Sequence, residues 1–181
     1  MRGRLSIALM ALIATLAASP AVAQVAKAPL RTTIFGGYGW LREAGLEGGP
    51  AVTYNKGWAV SVARLTTANR LAFVGEVGGQ YRHASSIESI SLYGFLGGFR
   101  FVLTRGSRLT TFAQALVGAE TFSSPGFTEA GFAFQPGGGL DIALHRRVAI
   151  RVQGDFRMGF EEGVMFKEAR FTTGIVVGLG R

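Results

Sequence analysis

Only two histidines occur, His83 and His145, and His83 opens the stretch "HASSIE" with Ser85 and Glu88 close behind. A histidine as general base, a serine as nucleophile and a carboxylate to orient the imidazole are the parts of an acyl-transfer site. The three lie between apolar runs, however, in a segment that reads as a loop, and a polar loop accounts for them without catalysis. His145 sits in "HRR", a short turn where a solvated imidazole is expected. The chain has no cysteine, which excludes thiolate zinc sites, cysteine nucleophiles and disulfides. Glu161 and Glu162 are adjacent acids that solvation explains as well as a loosely held divalent cation does. The glycines of "GEVGG" and "PGGGLD" lack the Lys-Ser/Thr and the strand-to-helix setting of a phosphate cradle. The expectation is no enzyme, no cofactor and no metal.

The remaining charges follow a different logic. In "VAIRVQGDFRMGF", Val148, Ile150, Val152, Phe156, Met158 and Phe160 share one parity, and Arg151, Gln153, Asp155 and Arg157 share the other. Strict alternation is the signature of a strand with two unlike faces. The same contrast recurs in "LAFVGEVGGQY", in "LYGFLGGFRF" and in "FAFQPGGGLDIAL", where bulk stands on one face and small or charged residues on the other. "FAQALVGAE" is less clean, because Phe112 and Leu116 share the side of Gln114, Gly118 and Glu120.

Such runs have the length that crosses a bilayer as a tilted strand, ~9 to 11 residues. Eight are predicted: Thr32 to Leu41, Gly57 to Leu65, Leu71 to Tyr81, Ile90 to Leu103, Leu109 to Phe122, Glu129 to Leu144, Val148 to Phe160 and Met165 to Leu179. Short turns ("TTANR", "TRGSR", "HRR") follow the second, fourth and sixth, and longer or intermediate connections follow the others. An up-and-down barrel puts all the short turns on one rim and the longer loops on the other. Trp40, Trp58, Tyr81 and Tyr93 fall beside the longer loops, where a lipid-water girdle would lie. Pro136 falls inside a strand, and a local bulge is expected there.

The N-terminus reads as a processing signal. Arg2 and Arg4 precede the hydrophobic run "LSIALMALIATLAA", and Ala21-Val22-Ala23 is a cleavage site before Gln24. Residues 1–23 are assigned to a secretory signal, 24–31 to a short periplasmic lead and 32–181 to the barrel. The formal net charge is +8, yet the basic residues stand nearly singly, so nucleic acid is not expected as a partner.

Eight alternating strands fit a soluble barrel with the apolar face inside or a membrane barrel with it outside. A narrow eight-stranded interior would be overfilled by these Phe, Leu, Ile and Trp side chains. A soluble exterior also normally carries lysine, and only Lys27, Lys56 and Lys167 occur. The lumen is therefore assigned Glu76, Arg100, Glu120, Asp141, Arg151, Asp155, Arg157, Glu168 and Arg170, with both signs in near balance. Unpaired charges in a narrow interior are costly, so a salt-bridged plug is expected.

With these residues the chain resembles the small outer-membrane β-barrels of Gram-negative bacteria, the OmpA-like and OmpX-like group often called porin family. "FGGYGWL", "GWAVSVA", "YGFLGGFRF", "FAQALVGAE", "GGGLDIALHRRVAIRVQGDF" and "RFTTGIVVGLG" carry the likeness, from Phe35 to Gly180. It implies an all-β, eight-stranded antiparallel up-and-down transmembrane barrel, monomeric, in contact with outer-membrane lipid and lipopolysaccharide. It also implies delivery by the barrel-assembly machinery, although the chain ends "VVGLGR" where such barrels commonly end in an aromatic residue. A structural or surface-interaction role is the expected function. Lipid A deacylases, eight-stranded outer-membrane enzymes, resemble the chain in carrying a nearby His and Ser, but theirs sit on a lipid-facing strand. A deacylase-like enzyme using His83 and Ser85 is the alternative, and a soluble periplasmic ligand-binding barrel is a third.

Overall fold

The computed structural model describes residues 32–44, 51–66, 70–83, 89–161 and 164–179. The segments read as signal and lead lie outside these residues. The strands are β1 (Thr32–Ala44), β2 (Val52–Tyr54), β3 (Lys56–Leu65), β4 (Leu71–His83), β5 (Ser89–Arg105), β6 (Leu109–Ser124), β7 (Phe127–Ala143), β8 (Val148–Glu161) and β9 (Val164–Leu179). Every neighbouring pair is antiparallel, in the order β2-β1-β3-β4-β5-β6-β7-β8-β9. β1 also pairs with β9 from Thr32↔Leu179 to Ala44↔Lys167, which closes the sheet. β2 and β3 are two parts of one barrel strand. β3 pairs with β1 up to Tyr38↔Trp58 and β2 takes over at Leu41↔Tyr54, with one extra residue on the β2–β3 side. The Tyr38 hydroxyl donates to the Asn55 carbonyl at this bulge. The result is a closed, antiparallel, eight-stranded all-β barrel. Closure of β1 on β9 leaves no free sheet edge at the seam, so the backbone N–H and C=O groups of the paired residues find partners on neighbouring strands.

Thr32 and Leu179 mark one rim, the terminal rim, shared by the connections 66–70, 106–108 and 144–147. The far rim carries the segments 45–51, 84–88, 125–126 and 162–163. Connection length therefore does not distinguish the rims as the sequence suggested. "SSPGFT" is not an intermediate loop: Ser124 pairs with Phe127, and only Pro125 and Gly126 turn the chain. Proline supplies φ near −65° and Gly126 takes φ 81°, the combination a type II turn requires. The reason is strand length. β5 and β7 run for 17 residues each, beyond the ~9 to 11 that cross a bilayer, so hairpin pairing continues above any hydrocarbon layer and absorbs the predicted loops.

Pro136 does not create a bulge. The β7–β8 ladder lapses opposite Gln135 and Pro136 and resumes at Gly137↔Asp155 in the register of Phe134↔Met158. Proline lacks only a donor, and omitting pairs in place satisfies that without an added residue. The bulge in β5 lies instead at Leu103, between Val102↔Phe112 and Thr104↔Thr111.

Glycine makes one close approach possible. Gly98 pairs with Leu116 and Gly118 with Leu96 across β5 and β6. A Cβ on Gly118 would run into the Phe95 carbonyl, and one on Gly98 into the Ala115 carbonyl, both backbone atoms that cannot swing away. Gly118→Val is expected to lower stability by about 1–3 kcal/mol through this overpacking. Urea unfolding in micelles checks it, with Gly75→Val as control, since a Cβ at Gly75 meets nothing within 4 Å.

Candidate functional site in the lumen

The two faces of the barrel are chemically distinct. Exposed outside are Phe73, Phe95, Phe99, Phe101, Phe132, Phe156, Phe160 and Phe171, eight of the 14 phenylalanines in the chain. Phenylalanine is ordinarily among the more buried residue types, so this is an apolar exterior rather than scattered surface residues. Phe73 and Phe99 rings lie 5.1 Å apart on it. Toward the far rim, Trp58 donates its indole N–H to the Tyr81 hydroxyl at 3.1 Å, and Tyr81 meets Tyr93 edge-on at 5.9 Å. Trp40 is 36% exposed on β1.

Inside stand the residues of the opposite parity. Glu76, Arg100, Glu120, Arg151, Asp155, Arg157, Glu168 and Arg170 are each buried to at least nine-tenths, and the Asp141 side chain is 19% exposed. Apart from Glu168, their side chains make one long hydrogen-bonded chain, with buried glutamines as links, and one separate pair. Arg157 Nη1 donates to Glu120 Oε2 at 2.7 Å and its Nε to Gln135 Oε1 at 2.9 Å. Gln135 passes on to Glu76 at 3.2 Å, and Arg170 Nη2 bridges Glu76 at 2.5 Å and Asp155 at 2.8 Å. Asp155 also accepts from Gln114 at 3.2 Å and Gln153 at 2.9 Å, while Arg100 Nη2 donates to Gln114 at 2.7 Å. Apart from this chain, Arg151 grips Asp141 with two donors, at 2.7 and 2.8 Å. Parallel two-point contacts of this kind are the stronger form of Arg-carboxylate pairing.

Alternation explains why these groups meet. Each strand sends every second residue inward, and in a barrel of eight strands an arginine reaches across the lumen to strands that are not its neighbours. Arg170 on β9 thus touches Glu76 on β4.

Known structures share this architecture. Neisserial surface protein A superposes with a TM-score of 0.69 at 10% identity, over 82% of this chain and 97% of that one. The N-terminal β-barrel domain of Pseudomonas aeruginosa OprF gives 0.53 at 12% identity, over 81% and 97%. Ail, the attachment invasion locus protein of Yersinia pestis, gives 0.50 at 16% identity, over 80% and 97%. The fold is that of the small outer-membrane barrels. The sequence itself matches no protein-family model, and the comparison with curated proteins gives no match.

The barrel also holds residues that the sequence reading left out of the charged set. Gln80, Gln114, Gln135, Gln153, Ser61 and Thr172 are buried with the charges. Parity was a usable signal for the glutamines and Thr172, which fall on the charged face of their strands, whereas Ser61 lies on the face opposite the exposed Lys56 and Arg64 of β3. The interior is not uniformly polar, either. Phe112 and Leu116 point inward, so the uneven face of β6 resolves with its bulk inside. Phe112 is useful there: the Arg100 and Arg151 guanidinium carbons lie 4.3 and 4.7 Å from its ring centroid, distances of cation–π contact. Ala63, Ala72, Val74, Leu96, Leu116 and Ala133 form an apolar cluster beside the network, and Leu41, Tyr54 and Leu92 another at the far rim.

Two cavities flank the ion pairs. One of about 160 Å³ borders Arg100, Asp141 and Arg151 near the terminal rim, and one of about 320 Å³ forms the mouth at the far rim. Of the residues considered for catalysis, His83 ends β4, while Ser85 and Glu88 lie outside the described residues. His145 is exposed in the turn 144–147. Glu161 ends β8, and Glu162 lies outside the described residues. Among the described residues no three His, Cys, Asp or Glu come together as metal ligands.

Proposed function

We propose that the chain is an exported outer-membrane barrel with a structural or surface-interaction role and a lumen closed to free diffusion. The single observation behind this reading is the inverted distribution of side chains. Phenylalanines cover the outside of a closed wall, and four arginines with five carboxylates fill the inside. A water-soluble barrel would place these faces the other way around, and its exterior would be an aggregation surface. An aqueous channel of the diffusion type needs about 16 strands, twice the number here. The signal at residues 1–23 and the lipid and lipopolysaccharide contacts belong to the same reading. We also assign it no catalytic activity, because a polar segment between two apolar runs accounts for His83, Ser85 and Glu88 without one.

Expression of the full chain in a Gram-negative host tests this directly. The mature protein is expected in the outer-membrane fraction, shortened by the signal, and its unheated band should run faster in SDS gels than its boiled band. Recovery as a soluble periplasmic protein would sink the proposal. Planar-bilayer recording of the refolded barrel is expected to show no conductance of porin size, and large steady currents would refute the closed lumen. Unchanged lipid A in membranes carrying the wild type or His83→Ala removes the deacylase alternative.

A further inference from the structure

We propose that the far-rim mouth is a binding site for a small organic cation with an apolar tail, such as an alkylammonium. The cavity is of the size small ligands occupy, about 320 Å³, and its lining divides by chemistry. Glu43, Glu120, Glu129 and Glu168 face it, against one lining cation, Arg82. Arg157 beneath answers only part of that charge. Its Nη1 is committed to Glu120 at 2.7 Å and stands 3.7 Å from Glu168. Glu168 is 4% exposed, yet its Oε2 accepts no hydrogen bond from the described residues. That oxygen stands 3.7 Å from Arg157 Nη1, beyond hydrogen-bond distance, on a residue that lines the mouth beside three other glutamates, so a cationic occupant adds charge that Arg157 alone does not supply.

Two observations choose an organic cation over a metal ion. Among the described residues, no three carboxylates of the mouth come together as metal ligands. Tyr54, Phe122 and Phe166 line the same space, and aromatic walls suit an ammonium group and its carbon chain alike. The tail has an exit. β7 stays paired with β6 up to Ser124↔Phe127, but its last pair with β8 at this rim is Phe132↔Phe160, so the wall steps down beside β8. Phe127, Phe132 and Phe160 border that step, each more than 40% exposed, and each also lines the mouth. A cationic head among the glutamates would therefore leave its chain lying over the step, on the apolar exterior.

The test uses the full mature barrel in zwitterionic phospholipid nanodiscs, titrated with octylammonium, octanol and octanoate. The readout is the backbone amide shifts of Gly131 and Gly159, which line the mouth, against Gly174 near the terminal rim. Octylammonium is expected to saturate at the mouth glycines, and octanol and octanoate are not. Glu168→Gln should weaken the octylammonium affinity at least tenfold. Glu129→Gln, at a half-buried position that the fold tolerates, should weaken it several-fold. Equal response to the three probes, no saturation at Gly131 and Gly159, or affinities within twofold of wild type in both variants would overturn the site.

Discussion

Arg170→Leu is expected to cost about 3–5 kcal/mol of folding stability, because it strips the shared cation from two buried carboxylates. Arg170 is 2% exposed and holds Glu76 at 2.5 Å and Asp155 at 2.8 Å. Asp155 keeps two amide donors, Gln114 and Gln153, whereas Glu76 keeps only Gln135. The greater part of the damage should thus fall on Glu76. Glu76→Gln added to Arg170→Leu should recover stability relative to the single variant, a coupling that independent sites would not show. Equilibrium unfolding by urea in detergent micelles measures both. A loss below 1 kcal/mol for Arg170→Leu would mean that the network does not hold the interior together.

The exterior makes the opposite prediction. Val117 lies midway along β6, 46% exposed, on the face that looks away from the lumen. In a bilayer Val117→Arg should lose about 2–4 kcal/mol, the cost of a guanidinium near the midplane of the lipid-facing wall. Were that face in water, the same change would fall within about 0.5 kcal/mol of neutral. Thr121→Arg provides a depth control. It stays on the same face of β6 but pairs with Tyr93 of the aromatic group nearer the far rim, where the cost should shrink to about 0–1 kcal/mol. Unfolding in phospholipid vesicles reads the difference, and equal values at the two positions would argue against a membrane setting.

Period-two patterning made the eight strands legible, with bounds close to those observed, because a wall with unlike faces must alternate. Parity also identifies which residues look inward on most strands, but it left β6 open, where Phe112 and Leu116 sit among polar neighbours, and it does not mark the inward Phe35 and Leu41 of β1. What parity cannot give is height and azimuth. Glu76 and Arg170 are separated by 94 positions on strands that do not pair, so their meeting depends on the stagger of the entire barrel. The mouth escaped for a related reason. Glu43 and Glu129 lie near predicted loops, and the step beside β8 exists only because the β6–β7 hairpin outgrows its neighbour. Pairing length is a property of two strands together, and neither sequence segment alone records it. Turn chemistry was the remaining gap: Pro125-Gly126 needs only two residues, so the hairpin consumed its flanks.

The contact between β4 and β9 also bears on the order of assembly. Hairpin pairing between consecutive strands can form early, since each contact closes a short loop. Arg170 cannot reach Glu76 until β9 has come round to β1 and the cylinder is shut. Its attraction therefore rewards the last event of folding and none before it. A barrel with β9 slipped by one residue would turn Arg170 and Glu168 outward, leaving their partners buried alone. The same charges that stabilise the finished cylinder act as a test of whether its seam was joined in register.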